Sequence, residues 1–527
     1  MQSSRLLPRA AFTVLAAGGG TYAYYRYSKR NDGHLKEGTF SITISQRNVE
    51  GKVVKAVMDL PYLPDATLEK RVKLFSRTLY SDASPYHERG GSLIKFHAAQ
   101  LNSNDPVEDM EPEATTYLYE GSSRRPIIVA AVADGHSGPF TSAWLKGRLS
   151  NLTMLSLLNS GGFGVKDPLK EVETSPITLP PKFKLDSNRM STLIKTAWEV
   201  VDDIITWRIP RELNGQDIRN EKVLETLGAR FGDQILPAYS GACALAAIVD
   251  TEEQEMWVAC TGDCRAVAGF WDEKPDGSGV WRVDVLSEDQ TAESPKEVAR
   301  LIKEHPKDDS ADVVKVGRVL GNLQPSRAFG DLRYKWGADL QNFLLPKLLP
   351  PNMRPRPPPA KLLTPPYVTA SPEVQHRKFT LPSSATSDGT RSTLRFLILA
   401  TDGLWDELTS TNAVALVGGH LQGQRNSIAN QNLTKSIPTI EENMTKTSAP
   451  LPHAAKRVRH SDWSFKEESL GMHLIRNALG GIDNTLIQQH LSIPAPYSRR
   501  YRDDISVLVL TFEGDEGLEQ PKTRAKL

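Results

Sequence analysis

The chain has 527 residues, of which 39% are hydrophobic and 24% charged, and its formal net charge is +1. That is ample core for one large domain with insertions, or for roughly two or three average ones. The near-neutral balance carries no polyelectrolyte signal, so nucleic acid is excluded as an expected partner on charge grounds. Cys243, Cys260 and Cys264 are an odd set without C-x-x-C spacing. They read as buried or free thiols in a reducing compartment, not as a disulfide framework.

Residues 1–31 contain no acid, while Arg5, Arg9, Arg26, Lys29 and Arg30 are basic. This composition is that of a mitochondrial targeting segment. Residues 10–25 are apolar but include Gly18-Gly19-Gly20, and they fall short of the roughly 20 residues that cross a bilayer. Their tyrosines would suit a membrane anchor at the interface. A cleaved secretory signal, with Ala16-Ala17-Gly18 as its small-residue site, is the competing reading. Asn151, Asn432 and Asn443 begin Asn-x-Thr triplets, which arise often by chance and do not decide between the two.

One globular domain is expected over 38–515, followed by a charged tail, 516–527. Within it, helical patterns fall at 142–149, 191–207, 295–304 and 468–479. Ser294 ahead of Pro295 makes a cap-plus-proline start for the third. Strand-like runs at 242–249, 256–259, 267–270 and 282–286 are joined by turn residues such as Asp250-Thr251 and Pro275-Asp276-Gly277, which suggests one antiparallel meander. The Pro-rich stretch 337–366 reads as a surface loop. Its core, 346–366, holds Pro350-Pro351 and Pro357-Pro358-Pro359 and is expected to exclude helix interior and central strand. A polar patch at 383–391 reads as a long hairpin loop, and 423–461, rich in Asn, Ser, Thr and Gln, as a disordered insertion. Mixed helices and meanders argue for an α+β layered domain rather than an alternating parallel sheet.

Aspartates stand where apolar runs end. Ile127 to Ala133 leads into Asp134-Gly135-His136, and Phe396 to Thr401 into Asp402-Gly403-Leu404-Trp405-Asp406. Arg502-Asp503-Asp504 precedes Ile505 to Leu510. Runs of this kind are buried strands. Singly, an Asp-Gly pair is an ordinary turn. Jointly, carboxylates at several strand mouths can converge on one sheet edge, where two of them about 4 Å apart repel by roughly 4 kcal/mol at an effective dielectric near 20. Such a cluster needs cations, and oxygen-only ligands suit Mg²⁺ or Mn²⁺ rather than zinc. Further acidic elements are Val107-Glu108-Asp109 and Gly262-Asp263-Cys264-Arg265.

With Ser240-Gly241-Ala242 and Ser326-Arg327-Ala328-Phe329-Gly330-Asp331 between them, these motifs form an ordered set over roughly residues 90–512. The set resembles the metal-dependent, type 2C serine/threonine protein phosphatases. Within that family it is most similar to the mitochondrial pyruvate dehydrogenase phosphatase branch. That closer similarity is carried by Glu304-His305-Pro306-Lys307, by Lys335-Trp336 after the Arg327 motif, by Thr364-Pro365-Pro366-Tyr367 and by Tyr501-Arg502-Asp503-Asp504.

The resemblance implies a four-layer αββα sandwich of two antiparallel sheets flanked by helices, and a two-metal centre holding Mg²⁺ or Mn²⁺. By matched position, Asp134 would bridge both ions. Glu108 and the Gly135 carbonyl would complete one, Asp402 and Asp503 would bind the other, and Asp263 would serve a third, weaker position shared with Asp402. A water activated between the ions would attack phosphorus, and His136 would protonate the leaving alcohol. The implied substrate is a phosphoprotein, first the E1α subunit of the pyruvate dehydrogenase complex. Other mitochondrial phosphoproteins, or a non-catalytic phosphoprotein-binding role, are the alternatives, although no ligand aspartate is missing. Three departures stand out. Asn104 occupies the position where many members carry a phosphate-binding arginine, Cys264 replaces a common serine, and Ser137 replaces a frequent glycine.

Overall fold

The structure, a computed structural model, describes residues 13–16, 21–24, 38–47, 53–64, 76–80, 93–121, 124–163, 177–213, 221–274, 276, 278–382, 391–441 and 461–513. Of the basic amino-terminal segment, only Thr13–Ala16 and Thr21–Tyr24 are described, and they pair with each other as antiparallel strands. The rest of that segment, the tail 516–527, residues 383–390 and residues 442–460 lie outside the described residues. No helix among the described residues is long and apolar enough to cross a membrane.

The strands of the two large sheets and of the hairpin before them, in chain order, are β1 (Thr39–Arg47), β2 (Val53–Pro61), β3 (Ser76–Tyr80), β4 (Leu93–Leu101), β5 (Glu113–Tyr117), β6 (Ile127–His136), β7 (Gly241–Asp250), β8 (Glu255–Thr261), β9 (Arg265–Glu273), β10 (Gly279–Val285), β11 (Phe329–Gly330), β12 (Glu373–Lys378), β13 (Ser392–Ala400), β14 (Thr439–Glu441) and β15 (Ile505–Glu513). One sheet runs β12-β8-β7-β6-β5, with β11 also paired to β7. The other runs β14-β10-β9-β13-β15-β4-β3. Among the described strand pairings, only β10–β14 is parallel.

Alternation along the strands builds the layers, because successive side chains point to opposite faces. In β6, Ile128, Ala130 and Val132 meet Leu397, Leu399, Leu508 and Leu510 of the other sheet. Val129, Ala131 and Ala133 face outward onto the helices α1 (Phe140–Leu145), α2 (Leu149–Ser160), α3 (Met190–Asp202) and α4 (Ile235–Tyr239). On the far side, Ile398, Ala400, Val507 and Val509 pack against α7 (Ser410–Leu421), α8 (Leu470–Leu479) and α9 (Asn484–Ser492), which follow α5 (Pro295–Glu304) and α6 (Ala338–Leu348) in the chain. Helices therefore cover both outer faces, which is the expected αββα sandwich. Both faces of the central strands are buried, so their sequences read as continuous apolar runs. Each fully buried Ile, Leu or Val contributes roughly 1.5–3 kcal/mol relative to exposure.

Several expectations need correction. The meander is two hairpins: β7–β8 lies in one sheet and β9–β10 in the other, and the chain crosses between sheets at Gly262-Asp263-Cys264. Likewise β12 and β13, the strands on either side of the 383–391 patch, lie in different sheets and do not pair as a hairpin. The helix expected at 142–149 is split into α1 and α2, since Gly147 between them adopts a left-handed φ of 71°. α3 continues from Met190 only to Asp202, where the turn loosens into a π-helix, Asp203–Trp207. α5 (Pro295–Glu304) has the expected bounds with Ser294 at its N-cap, but the serine side chain makes no capping bond.

The Pro-rich stretch is not all loop. α6 (Ala338–Leu348) carries Pro346 near its C-terminal end, where buried Leu344, Leu345 and Leu348 anchor it and offset the missing N–H. Nor is the 423–461 insertion wholly disordered. Ile428, Leu433 and Ile437 are buried beneath α7, and β14 extends a sheet, because these apolar residues punctuate the polar run.

The β1–β2 hairpin docks on the domain through Ile42 and Ile44 against Ile493. Its Thr43 N–H donates to the Tyr501 hydroxyl, which donates to the Thr43 carbonyl, both at 2.9 Å.

Candidate metal centre

Strand parity aims Asp134. Because Ile128, Ala130 and Val132 face the inter-sheet gap, Asp134 points into the same gap at the place where β6 leaves it. Asp263 sits on the crossing between the sheets, Asp402 opens the short helix Asp402–Trp405 directly after β13, and Asp503 precedes β15. Four motifs scattered along the chain thus meet at one end of the sandwich.

Carboxylate oxygens of Asp134, Asp263 and Asp402 lie within 4.8 Å of one another. At that separation two charges repel by roughly 3 kcal/mol at an effective dielectric near 20. Burial first, then neighbouring carboxylates, raises Asp134 and Asp402 well above the usual range. Burial is also the main cause that pushes Asp263 and Asp503 up to about 6. Asp402 Oδ1 is buried with no hydrogen-bond partner among the protein groups. An all-oxygen donor set, crowded, desolvated and short of donors, fits hard divalent cations of the Mg²⁺ or Mn²⁺ kind.

Glu108 and Asp503 stand outside that trio. Glu108 Oε1 accepts from the Gly138 N–H at 2.6 Å, and the Glu108 carbonyl accepts from the Ser142 hydroxyl. A side chain at Gly135 would come within 2.1 Å of that carbonyl, so glycine is needed to let the Glu108 turn close on the end of β6. Asp504 organises the same turn. Its carboxylate accepts from the Ser103 N–H at 2.5 Å, the Asn104 N–H at 2.8 Å, Asn104 Nδ2 at 2.8 Å and the Glu108 N–H at 2.9 Å. Asn104 is therefore engaged by Asp504.

A cation that the motif reading missed sits here instead. Arg499 pairs with Asp503. Burial opposes its charge, but Asp503 first, then Asp134, Asp402 and Glu108, hold its pKa above the ordinary value.

His136 Nε2 lies 2.6 Å from Asp331 Oδ2. Burial pushes the imidazole pKa down, yet the charge and hydrogen bond of Asp331 outweigh it, and the net shift is upward. Asp331 is held in a left-handed conformation, φ 54°, with its N–H on the Ser240 carbonyl at 2.7 Å. For a non-glycine residue that costs of order 1–3 kcal/mol. The preceding Gly330 N–H donates to Asp202 Oδ1 at 2.9 Å, while Lys335 Nζ donates to Asp202 Oδ2 at 2.7 Å. A side chain at Gly241 would approach His136 Nε2 to 2.2 Å and Asp331 Oδ2 to 2.4 Å, so the pair exists only because strand β7 begins with glycine.

Other motif residues are structural. Arg327 Nη2 pairs with buried Glu297 at 2.6 Å, and Arg265 grips Asp289 through two nitrogens, at 3.0 and 2.5 Å. His305 stacks on Tyr367 with ring centroids 4.2 Å apart, which joins the Glu304 and Thr364 motifs in one cluster around Asp309, whose carboxylate accepts from the Tyr367 hydroxyl. The three cysteines are buried free thiols, and burial raises each well above the usual thiol range. Asp331 could not be paired with His136 by inspection, because 195 positions separate them. Arg499 carried only a weak signal, its closeness to Asp503 in the chain.

Residues 210–441 match the family model of protein phosphatase 2C. A protein phosphatase 2C homolog of Schizosaccharomyces pombe is 32% identical over 453 residues, covering 85% of this chain and 85% of the relative. The mitochondrial pyruvate dehydrogenase (acetyl-transferring)-phosphatase 1 of Bos taurus is 32% identical over 461 residues, covering 80% of this chain and 78% of the relative. The protein of the same name from Saccharomyces cerevisiae is 32% identical over 456 residues, covering 83% and 71%.

Proposed function

This chain belongs to the protein phosphatase 2C family of metal-dependent serine/threonine phosphatases, and from that premise we propose that its acidic centre dephosphorylates the E1α subunit of the pyruvate dehydrogenase complex in mitochondria. The observation that carries the site assignment is the convergence of Asp134, Asp263 and Asp402 oxygens within 4.8 Å at the mouth of the sandwich. The relatives named as mitochondrial pyruvate dehydrogenase phosphatases support the substrate and the compartment. The acid-free, basic residues 1–31 point the same way.

In this reading Asp134, Glu108, the Gly135 carbonyl, Asp402 and Asp503 would hold Mg²⁺ or Mn²⁺, and Asp263 with Asp402 would offer a further, weaker position. When bound, such ions neutralise the carboxylates and lower the pKa of water enough to make it a nucleophile at neutral pH. The chain's own groups do the rest. Arg499, poised against Asp503, takes the phosphate oxygens in the absence of an arginine at position 104. His136, whose pKa Asp331 raises, gives its proton to the serine or threonine oxygen as it leaves.

Phosphate release from a phosphoserine peptide and from phosphorylated E1α, measured with manganese and with chelator, tests this. Metal-dependent release from both is expected. Release from the peptide alone would refute the substrate, and release from neither would refute the enzyme. Tagged full-length chain and a version lacking residues 1–30 test the compartment: equal import of both would refute the targeting role.

A further inference from the structure

Beside the His136–Asp331 pair lies a cavity of about 390 Å³ whose lining residues, Asp331 apart, the phosphatase reading does not use. Ser137 and Asp331 form its inner wall, and Tyr239, Asn322, Arg333 and Arg356 contribute most of the rest. The same short segment borders both places: Asn322 and Leu323 line this cavity, while Gln324 lines the small cleft over Asp263 and Asp402. The cavity is therefore a neighbour of the reacting centre on its His136 side.

Its chemistry is that of an anion site. Arg333 donates through Nη2 to the Pro357 carbonyl at 2.6 Å, and its Nε is buried with no partner. Arg356 is exposed; its backbone N–H donates to the Tyr239 hydroxyl at 2.8 Å, and among the described residues its guanidinium reaches only the Ser137 hydroxyl, at 3.4 Å. Arg318 donates to the Asn322 carbonyl at 3.1 Å, and all three guanidinium groups act on the Tyr334 phenol in the cavity wall. Among the described residues, no carboxylate pairs with any of the three. The one acid in the lining, Asp331, is already bonded to His136. Elsewhere on this molecule partly exposed arginines find acids, as Arg300 does with Glu304 and Arg377 with Asp284. Like charges gathered without counter-charge cost stability, and a folded chain keeps them where a ligand supplies the opposite sign.

We propose that this cavity is a second anion subsite, which takes a carboxylate or a second phosphate carried by the substrate chain next to the phosphoserine or phosphothreonine being hydrolysed. The proposal rests on the phosphatase reading of the acidic centre. Arg333 and Arg356 are its specificity-determining residues. Their five-donor forks suit either anion, and Arg333, held by Pro357, is ordered before substrate arrives.

The test uses full-length protein with manganese and three sets of phosphoserine peptides. The sets are identical except for one neighbouring residue, which is alanine, glutamate or a second phosphoserine, moved along both sides of the scissile phosphate. At one or more positions, kcat/KM of the wild type should exceed that of the alanine peptide by about tenfold for the anionic neighbour. Preference for glutamate, for phosphoserine or for both identifies the source of the anion. In the Arg333→Gln/Arg356→Gln variant the ratio should fall to about one. Arg356→Gln alone, at an exposed position, should lower the ratio partway and guards against misfolding of the double variant. A wild-type ratio near one at every position, or a ratio that survives in the double variant, overturns the proposal. Should no peptide be hydrolysed, the enzyme reading fails. Affinity for the same peptides in chelator then judges the cavity: equal binding of the anionic peptide by wild type and double variant overturns it.

Discussion

His136 Nε2 and Asp331 Oδ2 stand 2.6 Å apart across 195 positions of sequence, and Gly241 leaves the space in which they meet. The imidazole pKa is raised because Asp331 outweighs burial. A raised pKa keeps His136 protonated, and able to act as an acid, further into the alkaline range. Asp331→Asn should lower kcat and move the alkaline limb of the kcat–pH profile to lower pH, with KM for a phosphopeptide little changed. An unmoved limb would assign Asp331 a purely structural part.

Asp134 faces the carboxylates of Asp402, Asp109, Asp503 and Asp263. Asp134→Asn should abolish nearly all manganese-dependent phosphate release. It should also relieve repulsion on the order of 1–3 kcal/mol in the metal-free protein. In chelator the variant should therefore melt at a higher temperature than wild type. Comparable turnover, or a lower melting temperature in chelator, would remove Asp134 from the centre.

Metal and protons compete for the same oxygens. Asp263 and Asp503 rise from 3.8 to about 6 in the folded chain. A raised folded pKa means stability that is present below the unfolded value and is lost as pH climbs through about 6. Without metal, each group should cost on the order of 1 kcal/mol between pH 5 and pH 7.5. The rise in Tm on adding manganese should accordingly be larger at pH 7.5 than at pH 5.5. A gain independent of pH would show that these carboxylates do not hold the ion.

Glu297 behaves in the opposite sense. Burial pushes its pKa up, but Arg327 and Arg300 prevail and bring it down from 4.5 to about 2. Its contribution is complete above the unfolded value and disappears as pH falls from 4.5 toward 2. Between pH 6 and pH 3, denaturant melts of the wild type should lose about 2 kcal/mol more than those of Glu297→Gln. Parallel losses would show that the Arg327 pair adds nothing.

Asp134, Asp402 and Asp503 were legible because each borders an apolar run, the first two at its end and Asp503 just before its start, and parity along a strand is a local property that sequence records. Pro346 in a helix and the buried residues 428–437 were not. In both, tertiary packing of a few leucines and isoleucines overrode a local signal, and the energy of burial is invisible without the partner surface. The single meander failed for a related reason: strand spacing marks hairpins, but not the sheet to which each hairpin belongs.

From its residue order alone, the chain specifies buried strands bordered by carboxylates, a motif set resembling the type 2C phosphatases and an acid-free, basic stretch over residues 1–31. Folding alone chose the partners. It placed Asp331 against His136, drew Asn104 onto Asp504, set Arg499 among the acids and left Arg333 and Arg356 without counter-charge. Local preference acts over a few neighbouring residues, whereas electrostatics and hydrogen bonding act over a few ångströms, and only the folded chain brings distant positions within that reach.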